Sequence, residues 1–508
     1  MKPLVLDGSN LTVADLVSVA REGRRVEIAP EALERVRAAS AFLHRIAEAG
    51  TPKVYGLNTG VGINKDQAVT AEHYIEYNQN MLRVHCVGVP PYATEAQTRA
   101  VMTAKLHSLL GGHVGMKPDL VLLYRDFLNE GIHPLIPLRG SVGEADITSL
   151  SHLGMALLGE GEAVYRGRTV PVAEALGKAG LTPGTLGPRD GLALVSSNAL
   201  GAALGALVLE EFRALVDTAD LAYALTLEGF RGNVSPLDPA TFRVRPYRGG
   251  IASMEHARQL LEGSYLWEVQ AELQDPLSLR CSVHVHGAVR DALDHAEALL
   301  SVQLNGCDEN PVVLVEEGRL VPCGNFEPLN WVLPFETLGV AAGHLSQTSV
   351  RRTLRLGSPR FTGLPRFLNP REGICHAFGV IQKTFTTLDA EIHHLAHPLS
   401  WDTTPLSEDQ EDRGCNTPYV MLNLGRILDN LAYILGMEFL HAAQAVDLRR
   451  PPRLGRGTEA AHRRFRESVP FLDTDRELSR DIREARRLVA SRELLAAARE
   501  ALGSPEGR

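Results

Sequence analysis

The sequence predicts a mostly α-helical protein, and three observations carry that expectation. Five long segments repeat apolar residues at steps of three and four, the spacing that lines one face of a helix: 193–227, 288–304, 334–354, 378–395 and 418–446. Strand-like alternation is short and scarce, at 312–315 and 320–321. Gly and Pro gather at 88–91, 183–191, 230–250, 357–370 and 451–457, where they mark loops. Taken in order, 193–227 is rich in Ala and Leu, and the loop at 230–250 closes it. The 288–304 helix follows, then the two strand pieces. The loop at 357–370 divides the third helix from the fourth, and 451–457 ends the fifth. The pattern predicts an N-terminal region over 1–200, a central helical bundle over 201–450 and a helical C-terminal cap over 451–508.

Composition narrows the function classes. The net charge of −9 leaves no basic excess to neutralise phosphates, so a nucleic-acid partner is not expected. The Arg-rich stretch around Arg449–Arg456 gives way to interleaved Glu and Asp, as a solvated helical surface does. Six widely spaced cysteines form neither a disulfide framework nor a zinc pattern, and reduced thiols in a cytoplasmic protein are the expectation. The N-terminus lacks the long apolar core of a signal peptide. No uninterrupted apolar run reaches the ~18 residues of a membrane span. The apolar stretch at 199–208 is closed by Glu210-Glu211, and no membrane association is expected.

Several motifs stand in a fixed order along nearly the whole chain: Leu6-Asp7-Gly8, Tyr55-Gly56-Leu57-Asn58-Thr59-Gly60-Val61-Gly62, Asn80-Met81-Leu82 with His85, Gly140-Ser141-Val142-Gly143, Gln274-Asp275-Pro276, Ser278-Leu279-Arg280-Cys281, Asp308-Glu309-Asn310-Pro311, Gly324-Asn325-Phe326 and Gln410-Glu411-Asp412. In this order they resemble the histidine/phenylalanine (aromatic amino acid) ammonia-lyase family. The resemblance implies an elongated, mostly α-helical fold with a loop-rich N-terminal active-site region and a long central bundle. It also implies a small-molecule substrate and a homotetramer whose active sites each combine residues of three subunits.

The chain departs from the family where its electrophile is made. Members read Gly-Ser-Val-Gly-Ala-Ser-Gly-Asp-Leu, and their Ala-Ser-Gly cyclises and dehydrates to a methylidene-imidazolone (MIO). Here Ser141, Gly143, Glu144, Ala145 and Asp146 form the altered loop, with Glu144-Ala145 in place of the triad and one residue fewer. Ring closure needs a glycine nitrogen that can approach closely and a backbone that can kink. Ser is nowhere followed by Gly in this chain. No MIO and no other cofactor are therefore expected.

Other site residues persist. Tyr55 matches the family's base for the substrate β-proton, and the surrounding glycines let backbone N–H groups reach its oxygen. Glu411 matches a Glu beside the leaving amine, where a carboxylate can stabilise an ammonium. Arg280 matches the Arg that clamps the substrate carboxylate through two parallel hydrogen bonds. His85 matches a side-chain contact, Phe326 an aromatic near the electrophile, and Asn310 and Gln274 supporting polar groups. Ser196 stands where an Asn bonds the MIO oxygen, and Arg413 replaces a His. Glu144, Asp146, His284 and His286 are new polar groups, and His393 and His397 have i, i+4 spacing. These histidines are expected to be hydrogen-bonded or solvated, with no metal bound.

A retained Tyr base, Arg clamp and carboxylate without the electrophile suit an MIO-independent lyase-like enzyme. It would catalyse elimination, conjugate addition, isomerisation or cyclisation on an activated small carboxylic acid or amino-acid derivative. The alternatives are a non-catalytic homologue that binds a small ligand or partner, and a metal-assisted lyase in which a cation replaces the lost electrophile.

Overall fold

The computed structural model describes residues 1–269 and 272–503. The periodic segments are helices: Ala199–Phe230, Ser282–Leu304, Leu329–Leu356, Gln382–Leu395 and Thr417–Arg449. Val312–Leu314 and Arg319–Val321 pair antiparallel, as the alternation at those positions predicts. The expectation of a loop at 88–91 is corrected: Val89–Tyr92 is a strand, antiparallel to Pro137–Arg139. Its prolines lack N–H donors, so the register shifts between Val89 and Tyr92. Pro239–Arg243 and Pro359–Thr362 are short helices inside two other stretches expected as loops.

The chain divides into two compact units, each drawing on three separate segments. The first comprises Met1–Glu210, Ala296–Phe335 and Pro398–Leu422. In it, the strand pair Leu4–Leu6 and Val26–Ile28 and the sheet of Ile132–Pro134, Glu162–Tyr165 and Arg168–Pro171 flank helices such as Glu95–Leu109. That helix opens with a capping box, in which Thr94 accepts from the Gln97 N–H and the Gln97 side chain accepts from the Thr94 N–H.

The second unit comprises Glu211–His295, Glu336–His397 and Asn423–Arg508, and its last five residues lie outside the described ones. Its core holds charge as well as hydrocarbon. Arg352 and Glu438 are fully buried and joined by two bonds of 2.6 and 2.7 Å, with Thr226 and Ser349 donating to the same carboxylate. A buried pair needs such saturation to offset its desolvation.

The region 190–230 has the length and hydropathy of a membrane span, but its apolar window is wholly buried within the protein. Burial of that kind is what the core helix of a folded domain shows. The six cysteines are free.

Candidate active site

The altered loop is held by backbone bonds on both sides. The Val142 carbonyl accepts from the Cys415 and Asn416 N–H groups at 2.9 and 2.7 Å. The Ala145 N–H donates to the Asn198 side-chain carbonyl at 2.9 Å, and the Asp146 N–H donates to the Ser197 carbonyl at 2.7 Å. Gly143 is required here: its φ is +83°, and a Cβ would lie 2.5 Å from the Thr417 nitrogen. Ala145 takes a left-handed conformation, φ 64°, which a side chain tolerates at a cost of about 1–2 kcal/mol.

Asp146 is fully buried beneath the loop. It accepts from the Ser141 hydroxyl at 2.8 Å and the Gly201 N–H at 3.0 Å. Asp308 accepts from the Asn198 N–H at 2.7 Å. Two carboxylates thus satisfy orphan donors at the start of the Ala199–Phe230 helix, where its dipole favours negative charge. Burial nevertheless pushes the Asp146 carboxyl up to about 6.

Tyr55 enters from its Gly-rich turn. Its phenol oxygen accepts from the Gly62 N–H at 2.7 Å. Burial raises the phenol above its ordinary value and Glu411 adds to this, whereas the Gly62 bond and the charge of Arg189 oppose it. Glu411 closes a tight hairpin by pairing with Leu406, across Ser407, Glu408 and Asp409 at positive φ. A Cβ placed on Gly62 would lie 3.3 Å from the Glu411 Oε1.

At the altered loop, Glu144 meets two residues that the motif comparison passes over, Glu327 and Cys415. Their potential ligand atoms all lie within 4.8 Å of one another. The Cys415 thiol donates to the Glu327 Oε1 at 3.1 Å, and Arg413 pairs with the Glu327 Oε2. Burial and the neighbouring Glu327 charge push the Glu144 carboxyl up to about 7. Its Oε1 is buried without a hydrogen-bond partner. Burial opposes ionisation of Glu327 too, but Arg413 and Cys415 hold it below its ordinary value. A divalent ion at these three residues would need the Cys415 thiolate. Burial and both carboxylates raise that thiol.

Tyr55, Glu144, Glu327, Glu411 and Arg413 line one cavity of about 390 Å³, together with Val142, Ala145, Ile147, Leu192, Ser196, Asn310, Gly324, Phe326, Gln410 and Asp412. Tyr55, Glu411, Asn310, Phe326, Ser196, Glu144 and Ala145 are therefore brought together. Ser141, Gly143 and Asp146 support the loop without lining the cavity. His85 does not line it, and its ring bonds the Met81 carbonyl at 2.7 Å. Gln274 and Arg280 belong to the second unit; Gln274 is exposed, and Arg280 is half-buried with its Nε unpartnered. The new histidines also lie in that unit: His284 stacks on Phe242, and His286 bonds Asp220 at 2.7 Å. Neither joins Glu144 or Asp146 in a ligand cluster among the described residues.

Behind the wall, the fully buried Lys105 donates to the Ser196 carbonyl at 3.2 Å, and Arg189 pairs with Glu309 at 2.7 Å. Glu327 and Cys415 leave a trace in the sequence only in retrospect. An acid follows Gly324-Asn325-Phe326, and an Arg stands two residues before the Cys. At the loop, no serine is followed directly by a glycine, so the residues present do not fit an MIO group.

A family profile described as aromatic amino acid lyase matches residues 11–467. This chain belongs to the aromatic amino acid lyase family. Among curated relatives of this chain, the histidine ammonia-lyase of Stigmatella aurantiaca is 38% identical over 502 residues, covering 98% of each chain. Among solved structures, an ergothioneine-degrading ergothionase from Treponema denticola, in complex with desmethyl-ergothioneine sulfonic acid, is 43% identical. The match covers 97% of this chain and 100% of that one, with a TM-score of 0.95. A tyrosine aminomutase from Streptomyces globisporus is 31% identical over 97% of this chain and 98% of its own, with a TM-score of 0.92. The mostly helical fold expected from the motifs is that of these lyases and aminomutases.

Proposed function

We propose that this lyase needs no MIO group and catalyses β-elimination of a tertiary amine from a quaternary-ammonium amino acid of the ergothioneine class, with Tyr55 as base. The observation that carries the reading is Glu144-Ala145 in place of the electrophile-forming triad, in a cavity that keeps Tyr55 and Glu411. The likeness to the Treponema denticola ergothionase supports it.

Chemistry explains why these features belong together. An electrophile activates a primary amine by accepting its lone pair. A quaternary nitrogen has no lone pair to give, and it leaves as a neutral amine without further activation. Ergothioneine is the trimethylammonium betaine of a thiolated histidine. Tyr55 in its phenolate form takes the β-proton, the C–H electron pair becomes the Cα=Cβ bond, and the Cα–N bond breaks. The nitrogen keeps that electron pair and departs as trimethylamine. The other product is the acrylate, thiourocanate.

The geometry sets the conditions for Tyr55. With burial raising the phenol, the phenolate is scarce at neutral pH, and the Gly62 N–H supplies the one bond seen to favour it. The rate constant kcat/KM is therefore expected to climb with pH into the alkaline range. Tyr55→Phe is expected to lower turnover about 100- to 10,000-fold, the usual range for a lost proton-transfer group. Release of trimethylamine and of the conjugated acrylate, followed by mass spectrometry and ultraviolet absorbance, checks both outcomes. Deamination of histidine, with an intact mass lacking two waters, would overturn the reading.

The carboxylate clamp is assigned to Arg280 of a second copy of the chain in a homotetramer. Two observations support this: the resemblance of Ser278-Leu279-Arg280-Cys281, and the buried Arg280 Nε without a partner among the described residues.

A further inference from the structure

We propose that the Glu144 carboxylate is the seat of the substrate's quaternary ammonium, so that the position that forms the electrophile in relatives serves here as a counter-ion. The inference rests on the reading above and adds the subsite to it.

The charge pattern of the cavity points this way. Glu144, Glu327, Glu411 and Asp412 all line it, against the single cation Arg413. Arg413 is already committed to Glu327. The lining thus holds more acidic than basic side chains, and a substrate carboxylate would be disfavoured at that end. A trimethylammonium group has no N–H to donate. It is recognised by negative potential and by apolar and aromatic surface rather than by directed hydrogen bonds. Phe326, Val142, Ala145 and Ile147 supply that surface around Glu144. The Glu144 Oε1, buried with no hydrogen-bond partner among the described residues, becomes an oxygen such a ligand can face once the carboxyl is ionised.

A half-buried carboxylate beside a second acid is costly to keep ionised. The groups that face it are Glu327 on one segment and Arg413 and Cys415 on another, with Tyr55, Glu411 and Asp412 elsewhere in the cavity lining. Burial and Glu327 hold the Glu144 proton to about 7, so the empty cavity carries that proton through mildly acidic conditions. An arriving cation stabilises the carboxylate, and the proton leaves to solvent. Binding is therefore coupled to proton release below about pH 7, and affinity rises as pH rises through that value.

The test is calorimetric titration of the full-length protein with ergothioneine and, separately, with tetramethylammonium, at pH 6 and pH 8 in buffers of different ionisation enthalpy. The wild type is expected to release a large fraction of one proton per site at pH 6 and much less at pH 8. Glu144→Gln is expected to bind both probes at least tenfold more weakly and to abolish that release, with its thermal transition retained. Unchanged affinity and unchanged proton release in Glu144→Gln would overturn the assignment. So would absence of pH-dependent release in the wild type, a measurement that needs no variant. Stoichiometric divalent metal in the purified protein that disappears in Glu144→Gln would also overturn it, because an ion would then hold the place given to the ammonium. Trimethylamine release is measured in parallel. Release with an unchanged KM in Glu144→Gln rejects the subsite and leaves the reaction standing. Glu144-dependent tetramethylammonium binding without release rejects the reaction and leaves the subsite.

Discussion

Gly62 answers two demands at one position. Its φ of +57° lies where side chains are strained, and its N–H is the donor to the Tyr55 oxygen. Gly62→Ala keeps that N–H but places a methyl 3.3 Å from the Glu411 carboxylate. Strain of about 1–2 kcal/mol is expected from the left-handed backbone. Displacement of Tyr55 or Glu411 by a few tenths of an ångström should lower kcat about 10- to 100-fold, since activity is sensitive to such misplacement. A thermal melt and a trimethylamine assay separate the two effects, and full activity in the variant would remove Gly62 from the positioning role. Tyr55 and Glu411 could be read from the sequence because each sits in a local motif. Glu327 and Cys415 could not, because their contact joins positions 88 residues apart and no local pattern encodes it.

Helix boundaries were legible where periodicity and composition agree. The predicted 288–304 lies inside Ser282–Leu304, and 418–446 lies inside Thr417–Arg449. The strand at Val89–Tyr92 was hidden because its two central prolines signal a turn by themselves, and only the partner Pro137–Arg139 makes it a strand. The capping of Ala199–Phe230 by Asp146 and Asp308 was equally hidden, since both caps come from distant chain. It gives the element a pH signature. An unfolded Asp titrates near 3.8 and the buried Asp146 near 6, so in that window the unfolded chain sheds its proton first. The stability that Asp146 contributes is complete below 3.8 and is lost as pH rises through about 6. Asp146→Asn, which does not titrate, should therefore gain on the wild type across that interval. Urea midpoints of both proteins at several pH values check this. A constant difference would mean that the cap ionises as readily as an exposed Asp.

At the scale of the molecule, both compact units are assembled from segments far apart in sequence, a pairing that no run of residues announces. Family motifs supplied the fold for that reason: they carry long-range arrangement that periodicity cannot. The assignment of Arg280 to a second copy of the chain gives a direct experiment. Tyr55→Phe and Arg280→Ala should each be nearly inactive alone. Unfolded together and reassembled as mixed oligomers, they should regain a measurable fraction of wild-type turnover, because some sites receive Tyr55 from one chain and Arg280 from another. If the mixture stays as inactive as its components, both residues act within one chain.

The clamped loop also bears on ancestry. The amide nitrogens of Ala145 and Asp146 are already committed to Asn198 and Ser197, and the segment is one residue short of the family pattern. No substitution alone restores the triad in the family's register, because the segment is one residue short of it. A descendant would first have to lengthen the loop and surrender those bonds, at a loss of stability with no immediate gain. On the proposed reading, relatives carrying this shorter loop should form one branch without reversions.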